Sequence, residues 1–543
     1  MKVVIVGGVA GGMSAATRLR RLVPDAEIIV LEKGEHVSFA NCGLPYYIGG
    51  TIEHRSALLL QTPEHLRDRF ALDVRVRHEV LAIDRAARTV DVRDHRAGVD
   101  YTQEWDHLVL STGAAPVLPS VPGAERALTL RDVADADVIA EAAARSRTAV
   151  VVGAGFIGLE MAENLHTRGL SVALVELSGQ VLAPLDPEMA QPVTDHLRAQ
   201  GVSVNLGSRI QRIDADTVVL DDGSILPADL VIMAIGVRPD SRLADAAGLT
   251  TGPGGGVVVN ASLRTSDPRI HAVGDLVLKT DAVSGKAGLI PLAGPANRQG
   301  RLAADAIAGR AVHDGGSQGT AVIGVLGLTA AVTGWNEKRL RAAGRPHRIV
   351  HIHPLAHAGY YPGAARLALK LVIDAQNDQI LGAQAVGTEG VDKRIDVLAT
   401  AMAARMRASD LLRLDLAYAP QYGTAKDPVN LLGYVAENLA NGTTANIQWH
   451  EVEAARAAGA TVVDVRTAAE FAAEAIPGAI NLPLDGLPHR LGELPPGRLI
   501  VHCQVGQRAH SAVCLLRAHG RDAVNLDGGL LTWRAGSRTR GNR

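Results

Sequence analysis

The chain has 543 residues, of which 47% are apolar, and a formal net charge of -2 at pH 7. This length predicts about three to four domains. The near-neutral charge argues against nucleic acid and anionic membrane surfaces as partners, and no apolar run is long enough to span a bilayer. The 3 cysteines cannot form a disulfide framework, which predicts free thiols and a reducing, cytoplasmic compartment.

The first predicted element is a buried strand, Val3–Val6, that runs into a glycine-rich turn and then a helix. Gly7 and Gly12 belong to this turn, which presents backbone N–H groups and a helix N-terminus to a pyrophosphate. Val9 replaces the middle glycine, so the turn alone is a weak signal. Glu32 ends the next apolar run about twenty residues further on, where an acid can bind a ribose hydroxyl. An exposed strand-end glutamate is the alternative, but the turn before it favours a dinucleotide site.

The next feature is Cys42, within the stretch Ser38–Tyr47. It follows a strand-like run and precedes Leu44 and Pro45, where a helix could begin. The positive end of a helix dipole and its free N–H groups favour a thiolate. A thiolate attacks disulfides and polysulfides. The alternative is a small buried apolar cysteine; the sequence favours a reactive thiol.

A second glycine-rich fingerprint follows the strand Ala149–Val152. All three of its glycines are present, as Gly153, Gly155 and Gly158. Glu176 ends the following strand, about eighteen residues later. Two fingerprints predict two dinucleotides, and an acid at Glu176 favours NADH over NADPH, although neighbouring residues could accommodate the extra phosphate.

Two further strands also end in small-residue turns. The first leads into Thr112 and Gly113, and the second into Gly236. Such turns allow the backbone to approach a cofactor closely.

The order of these motifs resembles that of the flavin-dependent pyridine-nucleotide disulfide oxidoreductases. The stretch around Cys42 resembles the single-cysteine branch: coenzyme A-disulfide reductases and NADH-dependent per- or polysulfide reductases, with NADH oxidases and peroxidases as cousins. The resemblance implies that FAD is bound by Gly7, Gly12, Glu32 and Asp275, the last through the ribityl chain. It implies that the nicotinamide dinucleotide is bound by Gly153, Gly155, Gly158 and Glu176. Thr112, Gly113 and Gly236 are expected to bind a cofactor through their small-residue turns.

Two departures from related branches narrow the predicted chemistry. Two-cysteine reductases carry a second cysteine where this chain has Tyr47, so Cys42 is expected to act alone, through a mixed disulfide, a persulfide or a sulfenic acid. Peroxidases and oxidases carry a histidine in the first glycine-rich turn, where this chain has Ala10. The missing imidazole argues against peroxide chemistry.

The resemblance also implies a pair of catalytic tyrosines. Two-cysteine reductases use a histidine near the end of the reductase part, and the matching region here contains none. Coenzyme A-disulfide reductases use tyrosines instead, and Tyr360 and Tyr418 match that pair best. Tyr361 and Tyr422 stay as alternates, and packing at an interface is the ordinary role of any single tyrosine.

Coenzyme A contacts are carried over from the resemblance residue by residue: Ser14, Arg18, Arg21, Ser38, Asn41, Asn297 and Lys426. Cationic side chains suit the phosphates of coenzyme A. Arg18 stands where the family has an uncharged residue. A solvated basic helix face is therefore an open alternative for Arg18 and Arg21.

After a polar linker, Asn441–Thr444, the pattern changes and resembles a rhodanese domain. Cys503 follows the predicted strand Leu499–His502 and opens a loop ahead of a helix, where N–H groups stabilise a thiolate or persulfide anion. Arg508 adds positive charge. Cys514 lies inside that helix and is expected to be structural. The arginine-rich tail from residue 534 to residue 543 is expected to be disordered.

The predicted fold is α/β, with two Rossmann-like dinucleotide-binding domains, an α+β dimerisation domain and a C-terminal α/β rhodanese domain. The predicted boundaries are 1–115 with 250–318 for FAD, 116–249 for NAD(P)H, 319–440 for dimerisation and 446–540 for the rhodanese domain. A homodimer is expected, and no metal site.

The predicted function is FAD-dependent reduction of coenzyme A persulfide, polysulfide or coenzyme A disulfide by NADH, with Cys42 and Cys503 as the reactive thiols. An NADH oxidase that works through a cysteine sulfenic acid, and a slow redox-sensing or sulfur-trafficking protein, are the alternatives. The sequence ranks neither the sulfur acceptors nor the direction of sulfur flow.

Overall fold

The structure is a computed structural model that describes residues 1–540. The chain forms two compact units. Unit 1 consists of Met1–Val175 and Ile210–Gly319, and unit 2 consists of Glu176–Arg209 and the chain from Thr320 onward. No helix among residues 1–540 is both long and apolar enough to cross a membrane.

The first segment of the chain contains ten strands and five α-helices, besides short 3₁₀ turns. The strands are β1 (Lys2–Val6), β2 (Glu27–Glu32), β3 (Asp73–Val76), β4 (His78–Asp84), β5 (Thr89–Asp94), β6 (Val99–Glu104), β7 (His107–Leu110), β8 (Ala114–Pro116), β9 (Thr148–Val152) and β10 (Ser171–Glu176). The helices are α1 (Ala10–Leu22), α2 (Leu44–Gly49), α3 (Pro63–Phe70), α4 (Val133–Arg145) and α5 (Phe156–Thr167).

The chain then forms α6 (Pro187–Ala199) and β11 (Ser203–Leu206), which belong to unit 2. Unit 1 is completed by β12 (Ile210–Ile213), β13 (Thr217–Leu220), β14 (Ile225–Pro227), β15 (Leu230–Met233), β16 (Val237–Pro239), α7 (Arg242–Ala246), β17 (Ile270–Ala272), β18 (Lys279–Thr280), β19 (Ala287–Gly288) and α8 (Ala293–Ile307).

Two parallel sheets form the centre of unit 1. One has the strand order β17-β7-β1-β2-β3, and the other contains β10, β9 and β15 side by side. Val3, Val4 and Ile5 of β1 have no solvent exposure, as expected for a strand covered on both faces. In each sheet the central strand leads through a glycine-rich turn into a helix, so both predicted strand–turn–helix units are present.

Unit 2 continues with two further groups of elements. The first is β20 (Ala321–Val325), β21 (Leu328–Gly334), α9 (Glu337–Ala342), β22 (His347–Ile352), β23 (Ala368–Asp374), β24 (Ile380–Gly387), α10 (Val391–Ala403) and α11 (Pro428–Ala440). The second is β25 (Asn446–Ile447), α12 (Val452–Ala457), β26 (Thr461–Asp464), α13 (Ala468–Ala473), β27 (Ile480–Asn481), β28 (Leu499–His502), α14 (Gln507–Ala518), β29 (Ala523–Leu526) and α15 (Gly529–Arg540).

The two groups have different sheets. The first is antiparallel, with the order β20-β21-β24-β23-β22, and its apolar core includes residues of α10 and α11. The second is parallel, with the order β25-β29-β28-β26-β27. Together with the sheets of unit 1, they confirm the predicted fold class.

The prediction for the tail is wrong up to Arg540, because α15 extends to that residue. Leu530 anchors this helix with no solvent exposure, and Trp533 packs against the same core. Arg538, near the C-terminal end of the helix, pairs with Asp195 Oδ2 at 2.9 Å. Residues 541–543 lie outside the described part of the chain.

Candidate active site

Cys42 lies in a one-turn 3₁₀ helix, Asn41–Gly43, that leads directly into α2. The predicted helix start is confirmed, with Pro45 in the first turn, where its missing N–H is harmless. Cys42 is exposed, so it is not a buried structural cysteine. The Tyr47 hydroxyl donates a hydrogen bond to Asp137 Oδ1 at 3.3 Å. The position of a second cysteine is therefore occupied by a hydrogen-bonded phenol.

The expectation that the Cys42 thiolate is favoured is wrong. Partial desolvation and the negative charges of Glu160 and Asp275 raise the pKa of the Cys42 thiol above its usual value. The α2 helix has only 6 residues, so its dipole offers little compensation. Burial and the nearby charge of Glu163 raise the pKa of Glu160 itself to about 7. Glu160 escaped the sequence analysis, although an acid just after the second glycine fingerprint was a usable signal.

The turn between β1 and α1 brings backbone segments so close together that side chains do not fit. Gly7 has a φ of +100°, and a Cβ atom there would overlap the Ser111 carbonyl oxygen. A Cβ atom on Gly12 would overlap the Gly7 carbonyl oxygen. Among the described residues, no side chain caps the first turn of α1, so its N–H groups fit the pyrophosphate of FAD.

Glu32 accepts hydrogen bonds from the same turn and from the backbone that follows β2. Its Oε2 accepts a hydrogen bond from the Gly8 N–H at 2.8 Å, and its Oε1 accepts one from the Gly34 N–H at 2.7 Å. Each carboxylate oxygen keeps acceptor capacity for a ribose hydroxyl. Thr112 lies near the C-terminal end of β7, where its Oγ1 donates to the Asp240 carbonyl at 2.7 Å.

Asp275 carries an unsatisfied acceptor. Its Oδ1 is buried and has no hydrogen-bond partner within residues 1–540. Desolvation raises the pKa of Asp275, against the opposing charges of Lys279 and Arg131. A buried oxygen without a partner needs one, and a hydroxyl of the FAD ribityl chain fits this requirement. Gly113 has a φ of +70°, and a Cβ atom there would overlap the guanidinium group of Arg131.

The second glycine turn repeats the geometry of the first. Gly153 has a φ of +102°, and a Cβ atom there would overlap the Ala234 carbonyl oxygen. A Cβ atom on Gly158 would overlap the Gly153 carbonyl oxygen, whereas no described atom lies within 4 Å of the equivalent position at Gly155. The close contacts fix the turn and the open side at Gly155 leaves room for a pyrophosphate, so these residues fit a second dinucleotide.

Glu176 is the last residue of β10, as the sequence predicts. Its Oε1 accepts a hydrogen bond from the Ser178 N–H at 2.8 Å, which orients the carboxylate. Gly236 has a φ of +117° and no described atom within 4 Å of its Cβ position.

Tyr360 and Tyr418 meet in unit 2. Their hydroxyl oxygens lie 2.9 Å apart, and their side chains are 76% and 48% exposed. The hydrogen bond shared with Tyr360 raises the pKa of Tyr418, so the Tyr418 hydroxyl keeps its proton at neutral pH. Of the alternates, Tyr361 packs edge-on against His357, and Tyr422 is exposed.

Cys503 follows β28 at the start of the loop that precedes α14. Gly506 turns this loop with a φ of +90°. Behind the loop, Arg466 Nη1 donates to Gln504 Oε1 at 3.2 Å and Nη2 pairs with the buried Asp464 at 2.6 Å. This ion pair fixes the start of the loop, and the Cys503 side chain is buried.

Arg508 lies in the first turn of α14, where the helix dipole disfavours a cation. Glu470 compensates: its Oε2 and Oε1 accept hydrogen bonds from Arg508 Nη1 and Nη2 at 2.8 and 2.6 Å. Hydrogen bonding to Glu470, with a contribution from Cys503, raises the pKa of Arg508. Cys514 lies within α14 with its Sγ 3.8 Å from His510 Nε2, and its partial burial fits a structural role.

A family model described as pyridine nucleotide-disulphide oxidoreductase matches residues 1–300. The chain belongs to this family. The dimerisation-domain model of the same family matches residues 320–427 of this oxidoreductase, and a rhodanese-like domain model matches residues 448–536.

Three similar proteins are informative. A coenzyme A disulfide reductase of Staphylococcus aureus (strain bovine RF122 / ET3-1) is 35% identical over 439 residues, which cover 80% of this oxidoreductase and 100% of that protein. The crystal structure of reduced Bacillus anthracis CoADR-RHD is 44% identical with a TM-score of 0.98, covering 99% of this chain and 98% of that one. A NAD-dependent persulfide reductase from A. fulgidus is 37% identical with a TM-score of 0.92, covering 98% and 100%.

Three of the candidate coenzyme A contacts of this oxidoreductase lie where α1 packs on α8. The Ser14 Oγ donates a hydrogen bond to Asn297 Oδ1 at 2.6 Å. One helical turn along α1, Arg18 Nη2 pairs with Asp305 Oδ1 at 2.7 Å. Arg18 is therefore neutralised by Asp305 and is not a freely solvated cation.

The other candidate contacts are more dispersed. The guanidinium carbon of Arg21 lies 5.5 Å from the centroid of the Phe70 ring. Ser38 has a φ of +50° and Asn41 is exposed beside Cys42. Lys426 is exposed in unit 2.

Proposed function

We propose that this oxidoreductase uses NADH and FAD to reduce coenzyme A persulfide, polysulfide and coenzyme A disulfide, and that its C-terminal domain carries sulfur on Cys503. The single observation that carries this proposal is the exposed Cys42, with Tyr47 bonded to Asp137 where a second cysteine would stand. A thiol without a resolving partner forms its disulfide with the substrate.

The roles of the residues follow from this chemistry. The Cys42 thiolate attacks one sulfur of coenzyme A disulfide, forms a mixed disulfide and releases one coenzyme A thiolate. Bound FAD and NADH supply the two electrons that return Cys42 to the thiolate. The overall balance is coenzyme A disulfide, NADH and one proton giving two coenzyme A thiols and NAD⁺. With coenzyme A persulfide, the products are one coenzyme A thiol, hydrogen sulfide and NAD⁺.

Tyr418 and Tyr360 are proposed as the proton donors to the departing thiolate. Their shared hydrogen bond keeps a hydroxyl proton in place, and both side chains are exposed on the single chain. That exposure and the match to a dimerisation domain support a homodimer in which one subunit's tyrosines serve the partner's Cys42.

Cys503 is proposed to accept sulfane sulfur from a persulfide donor. The Cys503 thiolate attacks the outer sulfur, a Cys503 persulfide forms and the donor leaves as a thiol. Arg508, which interacts with Cys503, stabilises the anionic sulfur. Sulfane sulfur then passes between Cys503 and Cys42, from the thiol that first holds the persulfide to the other.

A steady-state panel tests the proposal. NADH consumption is measured with coenzyme A disulfide, coenzyme A persulfide, polysulfide or O₂ as the acceptor, and the products are identified. We expect rapid turnover with the sulfur acceptors, releasing thiol or sulfide. Turnover with O₂ alone would instead identify an NADH oxidase, and NADH-reducible FAD without turnover on any acceptor would identify a sensor.

A further inference from the structure

A cluster of charged side chains is buried inside unit 2, away from both reactive thiols in the sequence. At its centre, Lys370 Nζ lies 2.9 Å from Asp186, 2.5 Å from Glu188 and 2.7 Å from Glu337. These three carboxylates are close enough to one another to bind a metal ion, but the ammonium group of Lys370 already contacts each of them. The cluster is therefore an internal ion network.

His351 extends this network from strand β22 to the rhodanese domain. Its Nδ1 lies 2.7 Å from Asp527 Oδ2, and its Nε2 lies 3.1 Å from Glu188 Oε1. Carboxylate oxygens accept hydrogen bonds, so both ring nitrogens must carry protons to satisfy this geometry. Only the imidazolium form of His351 does so. A neutral ring would direct one lone pair at a buried carboxylate.

The contacts around His351 join the rhodanese domain to an edge strand of the antiparallel sheet. Asp527, in the turn between β29 and α15, also accepts a hydrogen bond from the His351 backbone N–H at 3.0 Å. Gln448 donates to the same carboxylate at 3.1 Å and to the Ile349 carbonyl at 3.4 Å. His353 Nε2 lies 2.7 Å from Thr532 Oγ1.

We propose that protonated His351 is an ionic latch that holds the rhodanese domain on strand β22. Losing the proton, or the ring, leaves Asp527 and Glu188 as buried carboxylates without their shared partner, which strongly disfavours the docked arrangement. The latch goes beyond the proposed function, because it determines whether the sulfur-carrying domain stays fixed to the reductase.

Charged side chains from several surrounding elements influence the pKa of His351. Burial by itself lowers the pKa of His351, but the hydrogen bonds to Asp527 and Glu188 outweigh burial and the repulsion from Lys370, and raise the pKa to about 9. His353, on the same strand, is buried beside His351, Arg366 and Arg534, and its pKa is lowered to about 3. His353 therefore stays neutral where His351 stays charged.

The pH dependence of docking follows from the pKa of His351 in the docked and undocked states. Its pKa is about 9 when docked, against an ordinary value of 6.5. The latch stabilises docking fully at a pH below 6.5, the ordinary pKa of His351. This stabilisation is lost as the pH rises through the docked pKa of about 9. The rhodanese domain should therefore be released at alkaline pH.

The experiment follows docking in the FAD-loaded full-length enzyme. Small-angle X-ray scattering and cleavage of the exposed Asn441–Thr443 linker by a broad-specificity protease are measured from about pH 7 to about pH 10. Cleavage at each pH is normalised to an unstructured peptide of the linker sequence. As the pH rises through the docked pKa of His351, the wild-type enzyme should expand and its cleavage should accelerate at least about tenfold.

His351→Gln should be expanded and rapidly cleaved already at neutral pH, with no further alkaline transition. His353→Gln is the matched control: it removes a neutral contact at the same interface and should keep the alkaline transition. Asp527→Asn tests the latch from the rhodanese side and should behave like His351→Gln. FAD content verifies that unit 1 is folded in each variant, and the far-UV circular dichroism spectrum, compared with that of the wild type, verifies the same for unit 2. Wild-type-like scattering and cleavage in both His351→Gln and Asp527→Asn would overturn the latch.

Coenzyme A disulfide reduction by the wild-type enzyme is measured separately. Its absence would count against the proposed function, whereas the docking measurements use no substrate and still decide the latch.

Discussion

Tyr418 and Tyr360 are 58 positions apart in the sequence, yet their hydroxyl oxygens share a hydrogen bond of 2.9 Å. The pKa of Tyr418 is raised by this bond, so the pair holds a proton that can be passed to a leaving thiolate. Tyr418→Phe should lower the rate of coenzyme A disulfide reduction about 100-fold, the usual loss for a proton donor. Turnover is measured by NADH consumption, alongside the reduction of bound FAD by NADH, which should not change.

Tyr422→Phe is the matched control, because Tyr422 is exposed on the same loop. It should keep at least about half of the wild-type rate. Equal losses in Tyr418→Phe and Tyr422→Phe would show that the hydrogen-bonded pair has no special role.

Glu160 should control the ionisation of Cys42. Its negative charge contributes to the raised pKa of the Cys42 thiol, and its own pKa is about 7, so above that pH the charge is present. Glu160→Gln removes the charge, and the thiolate should then form at lower pH. The measurement is the rate of iodoacetamide alkylation of Cys42 as a function of pH, followed by mass spectrometry.

The control for that experiment is Glu141→Gln, because Glu141 is an exposed residue of α4 paired with Arg145. Its alkylation profile should match that of the wild type. If Glu160→Gln shifted the profile to higher pH, the electrostatic explanation would be wrong in sign.

Glu176 should make the enzyme prefer NADH. A carboxylate at the end of β10 repels a 2′-phosphate and suits a free hydroxyl. The specificity constant should be higher for NADH than for NADPH, and Glu176→Ala should narrow the difference, mainly through the KM for NADPH. A wild-type preference for NADPH in side-by-side kinetics would show that neighbouring cations outweigh Glu176.

Local sequence patterns predicted the glycine turns, because Gly7 and Gly153 have backbone angles and close contacts that other residues do not tolerate. They also predicted the helix after Cys42. The raised pKa of Cys42 was not predictable in this way, because the charges of Glu160 and Asp275 come from distant segments.

Distance along the chain also hid the ion network. His351 and Asp527 are 176 positions apart, and His351 and Glu188 are 163 positions apart. The prediction of a disordered tail was wrong because it relied on the many arginines. The apolar packing of Leu530 and Trp533, which stabilises α15, was not recognisable from that composition.

The two reactive thiols should be separable by mutation. Cys42→Ser should bind FAD and accept hydride from NADH but lose the reduction of all sulfur acceptors, because no other thiol replaces it. Cys503→Ser should keep coenzyme A disulfide reduction and lose sulfur transfer from persulfide donors. Cys514→Ser, which changes the partly buried thiol in α14, should keep both activities. Loss of coenzyme A disulfide reduction in Cys503→Ser would make Cys503 a resolving thiol instead.

Glu470 should position Arg508 for sulfur transfer by Cys503. The two hydrogen bonds between Glu470 and Arg508 hold a guanidinium group in the first turn of α14, where the helix dipole opposes it. Glu470→Gln weakens this hold and should lower kcat for sulfur transfer from a persulfide about tenfold. Half-exposed ion pairs contribute only about 0–1 kcal/mol to stability, so the thermal unfolding temperature should hardly change. Glu474→Gln breaks a comparable pair with Arg534 and serves as the control; an equal loss of kcat in both variants would remove the positioning role of Glu470.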